Sequence, residues 1–331
     1  MSTLILIFAT ALVFAVGGTP LARRLALRAG FVDQPNARKL HTAPMPRLGG
    51  IAMYGAFIGA LVLFADRFYV PQMIGILVGA TWVSFLGLWD DRVGLSALLK
   101  LLGQIGGALI LVIAGVSVEL VAVPAVNVAI TVLWVVGITN AMNLLDNMDG
   151  LSGGVAAIAA TFFLLIAALN GQYLVGVLSA ALLGAALGFL VYNFNPAQIF
   201  MGDAGSLFIG FVLAAVGIKL RFLHLPPTAT WFIPILVLGL PIFDTTLVFV
   251  SRLRRGVNPL TTPGTDHTSH RLVARGLTRR EAVLTLYLVA GALGVVAMFC
   301  AQGSWLTNHF ALTMVGIAGL VALYELEFKK R

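Results

Sequence analysis

The chain has 331 residues, of which 60% are hydrophobic and only 10% are charged. A soluble domain is about 25% charged, so a chain this apolar could not cover its own surface in water, and we expect lipid to be its solvent. The formal charge of +8 would suit a nucleic-acid partner, but its distribution along the chain argues against one.

Apolar segments long enough to cross a bilayer recur along the whole sequence, at about 20 residues per span. They predict an all-α, polytopic membrane protein of about eleven transmembrane helices, with residues 1–331 forming a single domain. The predicted spans are 3–21, 48–65, 72–89, 98–116, 125–144, 152–169, 173–192, 205–221, 231–251, 283–301 and 309–326. The first has no basic residue before Arg23, whereas a secretory signal peptide carries its positive charge at the front, so we expect a retained helix.

Basic residues mark one side of the membrane. Of the 21 Lys and Arg residues, 18 fall in alternate connections, within 23–47, 92–100, 252–280 and 329–331. Such an excess is typical of cytoplasmic connections. It predicts an N-terminus outside and a C-terminus in the cytoplasm, as an odd number of spans requires.

Aspartates collect on the same side. Of the 13 acidic residues, eight are aspartates at or within a few turns of the cytoplasmic face, namely Asp33, Asp90, Asp91, Asp146, Asp149, Asp203, Asp244 and Asp266. A charge at the membrane centre costs at least about 2.5 kcal/mol. Carboxylates retained near lipid therefore call for water, a cation or a function, and we interpret them as one convergent polar site.

Asp90 and Asp91 follow the apolar run Trp82–Trp89. Two adjacent carboxylates repel each other unless a cation or a protonation relieves them. The pair is therefore either a solvated helix end or a pair that handles a metal ion or a phosphate.

A polar stripe ends the fifth predicted span. Asn140, Asn143 and Asp146, followed by Asp149 or Asn147, recur at a spacing of three, which places them along one helix face. The following Gly150 permits a tight turn. A chance polar helix end would not place amides and acids on one face, so we favour a site.

Asp203 lies between Gly202 and Gly205, at the predicted start of a helix, and Asn193 precedes them. A helix N-terminus favours anions and offers unpaired N–H groups. Asp203 is either an N-cap or a ligand of Mg²⁺, which prefers oxygen ligands and substrate phosphates.

The longest inner connection combines histidine and arginine. Asp244 precedes it, about two turns inside its span, where a buried acid needs a structural or functional partner. The connection then carries Arg255, His267, His270 and Arg271. The histidines could be zinc ligands, but no cysteine or third histidine is near, and we prefer anion binding by His and Arg, beyond the positive flank that orientation requires.

The first inner connection has three prolines and a cluster of cations that includes Lys39, His41 and Arg47. We interpret it as an ordered cap over an anionic group.

Together these blocks resemble the polyprenyl-phosphate N-acetylhexosamine-1-phosphate transferases of glycosyltransferase family 4, in particular the branch that starts O-antigen and teichoic-acid synthesis, which is related to phospho-MurNAc-pentapeptide transferase. The matching stretches are Val32 to Gly50, Gly87 to Arg92, Asn140 to Gly154, Asn193 to Ser206 and Pro241 to Arg271. Each motif alone is weak, but five in the family's order make a strong signal.

The resemblance implies a reaction. A polyprenyl phosphate, expected to be undecaprenyl phosphate, attacks the β-phosphorus of a UDP-N-acetylamino sugar, and UMP is released. It also implies a requirement for Mg²⁺, with Mn²⁺ as a substitute, and a place at the cytoplasmic face of the bacterial inner membrane in the first step of cell-envelope glycan assembly. A homodimer is a further expectation from the family.

Roles follow at matching positions. Asp203 resembles the Mg²⁺ ligand of the family, assisted by Asn143. One carboxylate of the Asp90-Asp91 pair is expected to deprotonate the lipid phosphate, while a covalent phospho-enzyme stays open as the alternative. Catalytic roles are also expected for Asp146 and Asp149. The substrate-binding residues that we expect are Asn140, Asn143, Asn193, Lys39, His41, Arg47, Asp244, Arg255, His267, His270 and Arg271.

One position departs from the pattern of the branch, which is His-x-His-His-Arg. Here Ser269 stands where a histidine is usual. The segment is still closer to this branch than to the peptidoglycan enzyme, so UDP-N-acetylglucosamine is the expected donor and phospho-MurNAc-pentapeptide transfer the alternative. A cation- or proton-coupled transporter is a second alternative, although transporters tend to place their acids near the midplane. A purely structural scaffold would have no use for this acid cluster.

Overall fold

The computed structural model describes residues 2–34, 44–64, 70–259, 262 and 264–329, and within these ranges the chain is almost entirely helical. Its helices are α1 (Ser2–Ala29), α2 (Gly49–Phe64), α3 (Val70–Val93), α4 (Ala97–Ile113), α5 (Pro124–Leu145), α6 (Leu151–Leu169), α7 (Tyr173–Asn193), α8 (Gly202–Lys219), α9 (Pro227–Val237), α10 (Gly239–Arg254), α11 (Thr268–Ala274), α12 (Arg279–Gln302) and α13 (Trp305–Glu327). The predicted all-α class holds except for one antiparallel pair of two-residue strands, β1 (Val32–Asp33) and β2 (Met45–Pro46).

Helix length and composition indicate a multi-pass membrane protein, as predicted. In the described ranges, eight helices are long and apolar enough to cross a membrane, or nine if α9 and α10 form one bent span. Two further apolar helices, α2 and α4, have 16 and 17 residues, which is short for a span of about 20. Each predicted segment overlaps a helix, while the number of spans stays a prediction.

The ninth predicted span is not one straight helix. Over 231–251 the sequence predicts a single helix, but α9 and α10 are bent by 78°. Proline explains the break, because Pro241 has no N–H to donate to the carbonyl of Val237, four residues earlier. Accordingly α9 ends at Val237 and α10 begins at Gly239.

Helix α8 is the most enclosed of the candidate spans. Glycines let α3 and α2 approach it closely: a Cβ added at Gly87 would lie 2.3 Å from the carbonyl oxygen of Asp203, and one at Gly50 would lie 2.2 Å from the nitrogen of Gly205. Any larger residue would push these helices apart. The close packing brings the acidic end of α3 beside the first turn of α8.

The strand pair places the described end of the first inner connection, Met45 to Arg47, at the same end of the bundle. The N–H of Arg47 donates to the carbonyl of Phe31 at 3.0 Å, and the N–H of Phe200 donates to the carbonyl of Pro46 at 2.8 Å. Because Phe200 lies two residues before the start of α8, these bonds set Arg47 beside the start of that helix.

Candidate active site

A cavity of about 520 Å³ lies at the end of the bundle where α8 begins. Its lining is Asp33, Met45, Arg47, Asn143, Asp146, Asn147, Met148, Asp149, Asn193, Asn195, Pro196, Ala197, Phe200, Gly202, Asp203, His270 and Arg279. The predicted site residues among them are Arg47, Asn143, Asp146, Asp149, Asn193, Asp203 and His270. Segments far apart in sequence thus meet around one space.

Asp203 stands in the first turn of α8, and its carboxylate is held from two sides. Lys100 Nζ lies 2.8 Å from Oδ2, and Asn143 Nδ2 donates to Oδ1 at 2.7 Å. The N-cap of α8 is Met201, so the N-cap alternative for Asp203 is wrong. Its carboxylate therefore does not cap the helix and lies at the cavity wall instead.

Lys100 also reaches Asp90, which joins the end of α3 to the start of α8. Its Nζ lies 2.8 Å from Asp90 Oδ2, and the N–H of Leu95 donates to Asp90 Oδ1 at 2.7 Å. The side chains of Asp90 and Asp91 are only 9% and 1% exposed. A solvated helix end is therefore the wrong interpretation of this pair, whose repulsion the ammonium group partly relieves.

Asp91 faces the N-terminus of α8. Its Oδ2 accepts a hydrogen bond from the N–H of Ala204 at 3.1 Å, in a place that favours an anion because the first N–H groups of a helix lack internal partners. Among the described residues, no hydrogen-bond donor satisfies its buried Oδ1, from which Arg47 Nε is 3.8 Å away. Such an oxygen is a rare feature in a folded protein and one that a cation would satisfy.

Asp146 follows α5 directly and lines the cavity. Burial raises the pKa of its carboxyl to about 7, and repulsion by Asp203 adds to the rise. Near neutral pH, this position therefore takes up either a proton or a nearby positive charge.

Asp149 and Asn193 support the connections around the cavity. Asp149 Oδ2 accepts hydrogen bonds from Asn195 Nδ2 at 3.1 Å and from the N–H of Ala197 at 3.0 Å. Asn193 Oδ1 accepts from the N–H of Gly150 at 3.1 Å. Gly150 has φ +76°, a left-handed conformation that favours glycine. The acidic turn and the segment before α8 are thus held together.

Asn140 does not reach the cavity. Its side-chain amide pairs with that of Gln104 on α4, with nitrogen–oxygen distances of 2.5 and 3.2 Å. Its Nδ2 also donates to the carbonyl of Val136 at 2.8 Å. These bonds join α4 to α5, as polar side chains do between helices in lipid.

Asp244 holds the start of α11. It accepts a hydrogen bond from the N–H of Thr268 at 2.7 Å, and His267 Nδ1 lies 2.8 Å from its other oxygen. Asp244 and His267 are buried and do not line the cavity, whereas His270 does. Burial lowers the pKa of His270, and His267 lowers it further, which favours the neutral imidazole.

Arg255 and Arg271 are engaged away from the cavity. Asp266 accepts hydrogen bonds from Arg255 and, at 3.0 Å, from Arg252. Arg271 Nη2 donates to the Glu327 carboxylate at 2.6 Å. Neither predicted residue lines the cavity, so their expected contact with substrate would require an exchange of these partners.

The predicted cap is described only in part. Lys39 and His41 lie outside the described residues. Arg47, at its end, lines the cavity, and its Nη1 lies 3.2 Å from Asp33 Oδ1. This arginine is thus shared between Asp33 on β1 and Asp91 on α3.

Sequence reasoning missed Lys100 and Arg279 as site residues. It counted both only as charges that orient the chain. For Lys100 a signal existed, because a lysine on an apolar helix near the membrane needs an anionic partner and the aspartates of the same face supply it. Arg279, which begins α12 and lines the cavity, gave no such signal.

Protein side chains alone form no metal centre in the part of the chain that the structure describes, where no group of three or more His, Cys, Asp or Glu residues could hold an ion. This finding gives no support to zinc at His267 and His270. Mg²⁺ needs less, because it is commonly held by one or two carboxylates together with water and substrate phosphates.

The charges around the cavity suit anionic phosphates. One wall carries Asp146 and Asp203, which would repel a phosphate unless a cation lay between them, while Arg47 and Arg279 supply fixed positive charge. Phosphoryl transfer depends mainly on positioning and on neutralising charge. The arrangement can therefore gather two phosphates with the help of a divalent cation.

Comparison with known proteins gives relatives over nearly the whole chain. The model of glycosyl transferase family 4 matches residues 73–221. The chain is 37% identical to the probable undecaprenyl-phosphate N-acetylglucosaminyl 1-phosphate transferase of Bacillus subtilis (strain 168), over 97% of this chain and 92% of the relative. It is 33% identical to the decaprenyl-phosphate N-acetylglucosaminephosphotransferase of Mycolicibacterium smegmatis (97% and 87% covered). It is 31% identical to the undecaprenyl-phosphate alpha-N-acetylglucosaminyl 1-phosphate transferase of Salmonella typhi (90% and 83% covered).

Proposed function

This chain belongs to glycosyl transferase family 4, and on that basis we propose that it transfers N-acetylglucosamine 1-phosphate from UDP-N-acetylglucosamine to undecaprenyl phosphate. An oxygen of the lipid phosphate bonds to the β-phosphorus of the donor, the bond from that phosphorus to the bridging oxygen breaks, and UMP leaves. The names of the relatives support the transferred group and the polyprenyl acceptor.

One observation carries the proposal: carboxylates from distant parts of the chain meet at a single cavity. Asp146 and Asp203 line it, and Asp91 lies beneath its wall beside Gly202. Lys100 and Arg47 lie among these acids. Unpaired acids near lipid would cost stability, whereas acids gathered with two cations around a cavity suit a site for phosphates and a metal ion.

We propose that the acidic wall binds Mg²⁺ through Asp203 and the side-chain oxygen of Asn143, with Mn²⁺ as a substitute. Asp203, Asn143 and Asp146 line the same cavity, and the raised pKa of Asp146 indicates a deficit of positive charge beside them. When bound, the ion would neutralise phosphate charge while donor and acceptor come together.

Side chains of the protein itself would accept the proton, position Lys100 and bind the phosphates. Of the adjacent aspartates, Asp90 has a hydrogen bond or an ion pair at each oxygen, and Asp91 has one oxygen without a donor among the described residues. We therefore propose that Asp91 accepts the proton of the lipid phosphate and that Asp90 positions Lys100. Asp91 does not itself line the cavity, so this contact would require the wall beside Gly202 to move. Arg47 and Arg279 would bind phosphate oxygens as charged donors.

The membrane arrangement is part of the same proposal. The basic connections would face the cytoplasm of a bacterium, and with them the cavity, because 18 of 21 Lys and Arg residues lie on that side. Counting α2 and α4 as short spans beside the nine candidates would give the eleven that the sequence predicts. A homodimer stays an expectation from the family.

Release of UMP by purified protein in lipid nanodiscs tests the function. We expect UMP from UDP-N-acetylglucosamine only when undecaprenyl phosphate and Mg²⁺ are both present. UDP-MurNAc-pentapeptide, assayed alongside, separates this reaction from the peptidoglycan alternative. A wild-type protein that releases no UMP with any UDP-N-acetylamino sugar would refute the proposal.

A variant that removes the charge of Asp203 tests whether this residue binds the metal ion. Asp203→Asn keeps the shape of the side chain but removes its charge, so we expect loss of Mg²⁺-dependent turnover. Glu119→Gln is the matched control, because Glu119 is 69% exposed and pairs with Arg221 away from the cavity; it should turn over like the wild type. Retained turnover in Asp203→Asn would reject Asp203 as the ligand.

A further inference from the structure

A hydrogen bond joins α11 to the acidic turn between α5 and α6. The hydroxyl of Ser269 donates to Asn147 Oδ1 at 2.6 Å, although the two residues are 122 positions apart. Asn147 lines the cavity in the turn that carries Asp146 and Asp149. Ser269 itself has no exposed surface, so water does not compete for this bond.

Both partners of the bond are oriented by further contacts. Asn147 Nδ2 donates to the carbonyl of Leu144 at 2.9 Å, which turns Oδ1 toward α11. On the other side, Asp244 accepts from the N–H of Thr268 and fixes the first residue of that helix. The Ser269 hydroxyl therefore meets a preset acceptor from a preset position.

The bond involves or adjoins two residues that line the cavity, Asn147 and His270. Asn147 is the acceptor of the bond, and His270 Nδ1 lies 3.5 Å from the Ser269 oxygen. Helix α11 has only seven residues and is held to its neighbours partly through side chains, such as Asp244, which bonds to its first residue, and Arg271, which bonds to α13. The separation of His270 from the acidic turn therefore depends on side-chain bonds such as this one.

We infer that Ser269 is a positioning residue, whose hydroxyl sets the distance between His270 and the Asp146–Asp149 turn so that both walls contact one UDP-sugar. This inference rests on the proposed function. It also gives a physical role to the position where the sequence departs from the pattern of its branch. A serine side chain is short, so it can join the two segments only while they are in direct contact.

Loss of the Ser269 hydroxyl should weaken the binding of the UDP-sugar donor and leave the binding of the lipid acceptor nearly unchanged. Removing the hydroxyl in Ser269→Ala leaves Asn147 Oδ1 without its partner and lets the two walls shift. We expect kcat/KM for UDP-N-acetylglucosamine to fall about tenfold, equivalent to about 1.4 kcal/mol, mainly through a higher KM. The KM for undecaprenyl phosphate should stay within about twofold, because the bond is expected to position only the donor. A loss of folded protein would lower kcat but change neither KM, so a rise in the donor KM alone distinguishes positioning from unfolding.

The neighbouring residue provides a matched control. Thr268 is also buried, but its hydroxyl has no hydrogen-bond partner among the described residues. Thr268→Val removes that hydroxyl at nearly constant shape, and we expect wild-type kinetics. Asn147→Ala removes the acceptor, and the double variant Ser269→Ala/Asn147→Ala should be no worse than Asn147→Ala alone, because one interaction cannot be lost twice.

The outcomes are distinct. Wild-type kcat/KM in Ser269→Ala, or effects of Ser269→Ala and Asn147→Ala that multiply in the double variant, would overturn the inference. Calorimetric titration with UDP and Mg²⁺ reads the same effect without turnover: the Kd for UDP should rise about tenfold in Ser269→Ala and stay unchanged in Thr268→Val. If the wild type released no UMP, the proposed function would fail, and equal Kd values in this titration would independently reject the role of Ser269.

Discussion

Arg271 Nη2 lies 2.6 Å from Glu327 Oε2, and this ion pair fastens α11 to the C-terminal end of α13. Arg271 Nη1 also donates to the carbonyl of Leu326 at 2.7 Å, and Arg275 donates to the carbonyl of Glu325 at 2.7 Å. The last carbonyls of a helix lack partners within it and favour cations. Arg271 in α11 and Arg275 directly after it thus satisfy the end of the last helix.

We predict that Arg271→Ala lowers the free energy of unfolding by about 1–3 kcal/mol, because it takes charge-assisted bonds from a Glu327 side chain that is only 4% exposed. Arg254, 3.3 Å from the same carboxylate, limits the loss. Unfolding in detergent measures the effect. The Kd for UDP should change by less than about twofold.

Glu327→Gln supplies the partner variant for this prediction. It should destabilise the protein by a similar amount, and the double variant should lose less than the sum of the single variants, because Arg271 and Glu327 act on each other. The opposite result, a large loss of UDP affinity with unchanged stability, would show that Arg271 contacts substrate as the sequence predicts.

The acidic site could be foreseen because an apolar helix offers a polar side chain few partners. Asn143, Asp146 and Asp203 had to meet one another, water or an ion. The spacing that predicted them could not say which partner each would find. Asn140 and Asn143 lie on the same stripe, yet Asn143 meets Asp203 while Asn140 meets Gln104. Three residues of helix, a rise of about 4.5 Å, separate the cavity wall from the contact between α4 and α5.

The positions of the arginines could not be foreseen for a related reason. Arg271 and Arg279 look alike in sequence, as basic residues of one inner connection. Which of them faces the cavity depends on how α11 and α12 rotate against their neighbours, and no periodicity in a short connection records that rotation. In the structure, Arg279 lines the cavity and Arg271 does not.

Arg279 and Arg280 form a natural pair of variants. Arg279 lines the cavity, whereas the guanidinium of Arg280 lies over the ring of Phe194, 5.6 Å from its centre. We predict that Arg279→Ala raises the KM for UDP-N-acetylglucosamine about three- to tenfold, because a charged donor to phosphate is lost, and that Arg280→Ala changes it by less than about twofold. Steady-state UMP release measures both.

Salt provides a second check on Arg279. Its contribution is electrostatic and solvent-accessible, so raising the ionic strength should weaken donor binding in the wild type more than in Arg279→Ala. Equal salt dependence in the two proteins, or an equal rise of KM in Arg280→Ala, would mean that Arg279 does not bind the donor.

Asp146 should make stability depend on pH in the opposite sense to a carboxylate held in an ion pair. Burial raises the pKa of Asp146 from its ordinary value of 3.8 to about 7, with repulsion by Asp203 as the second cause. Between pH 4 and 7 the folded protein therefore holds a proton that the unfolded chain has released. Linkage then requires that this group lower the free energy of unfolding as the pH rises through that window, and that its effect level off above about pH 7.

Asp146→Asn cannot titrate, so comparison with it isolates the effect. Without Mg²⁺, the unfolding temperature of the wild type relative to Asp146→Asn should fall from pH 5 to 7 and then stay level to pH 8. A bound cation favours the ionised carboxyl, so Mg²⁺ should raise the unfolding temperature of the wild type more at pH 7.5 than at pH 5.5, because protons compete with the ion at low pH. The prediction is wrong if the unfolding temperatures of the two proteins change in parallel with pH and Mg²⁺ raises that of the wild type equally at pH 5.5 and 7.5. In that case Asp146 would neither hold a proton in this pH range nor lie beside the ion.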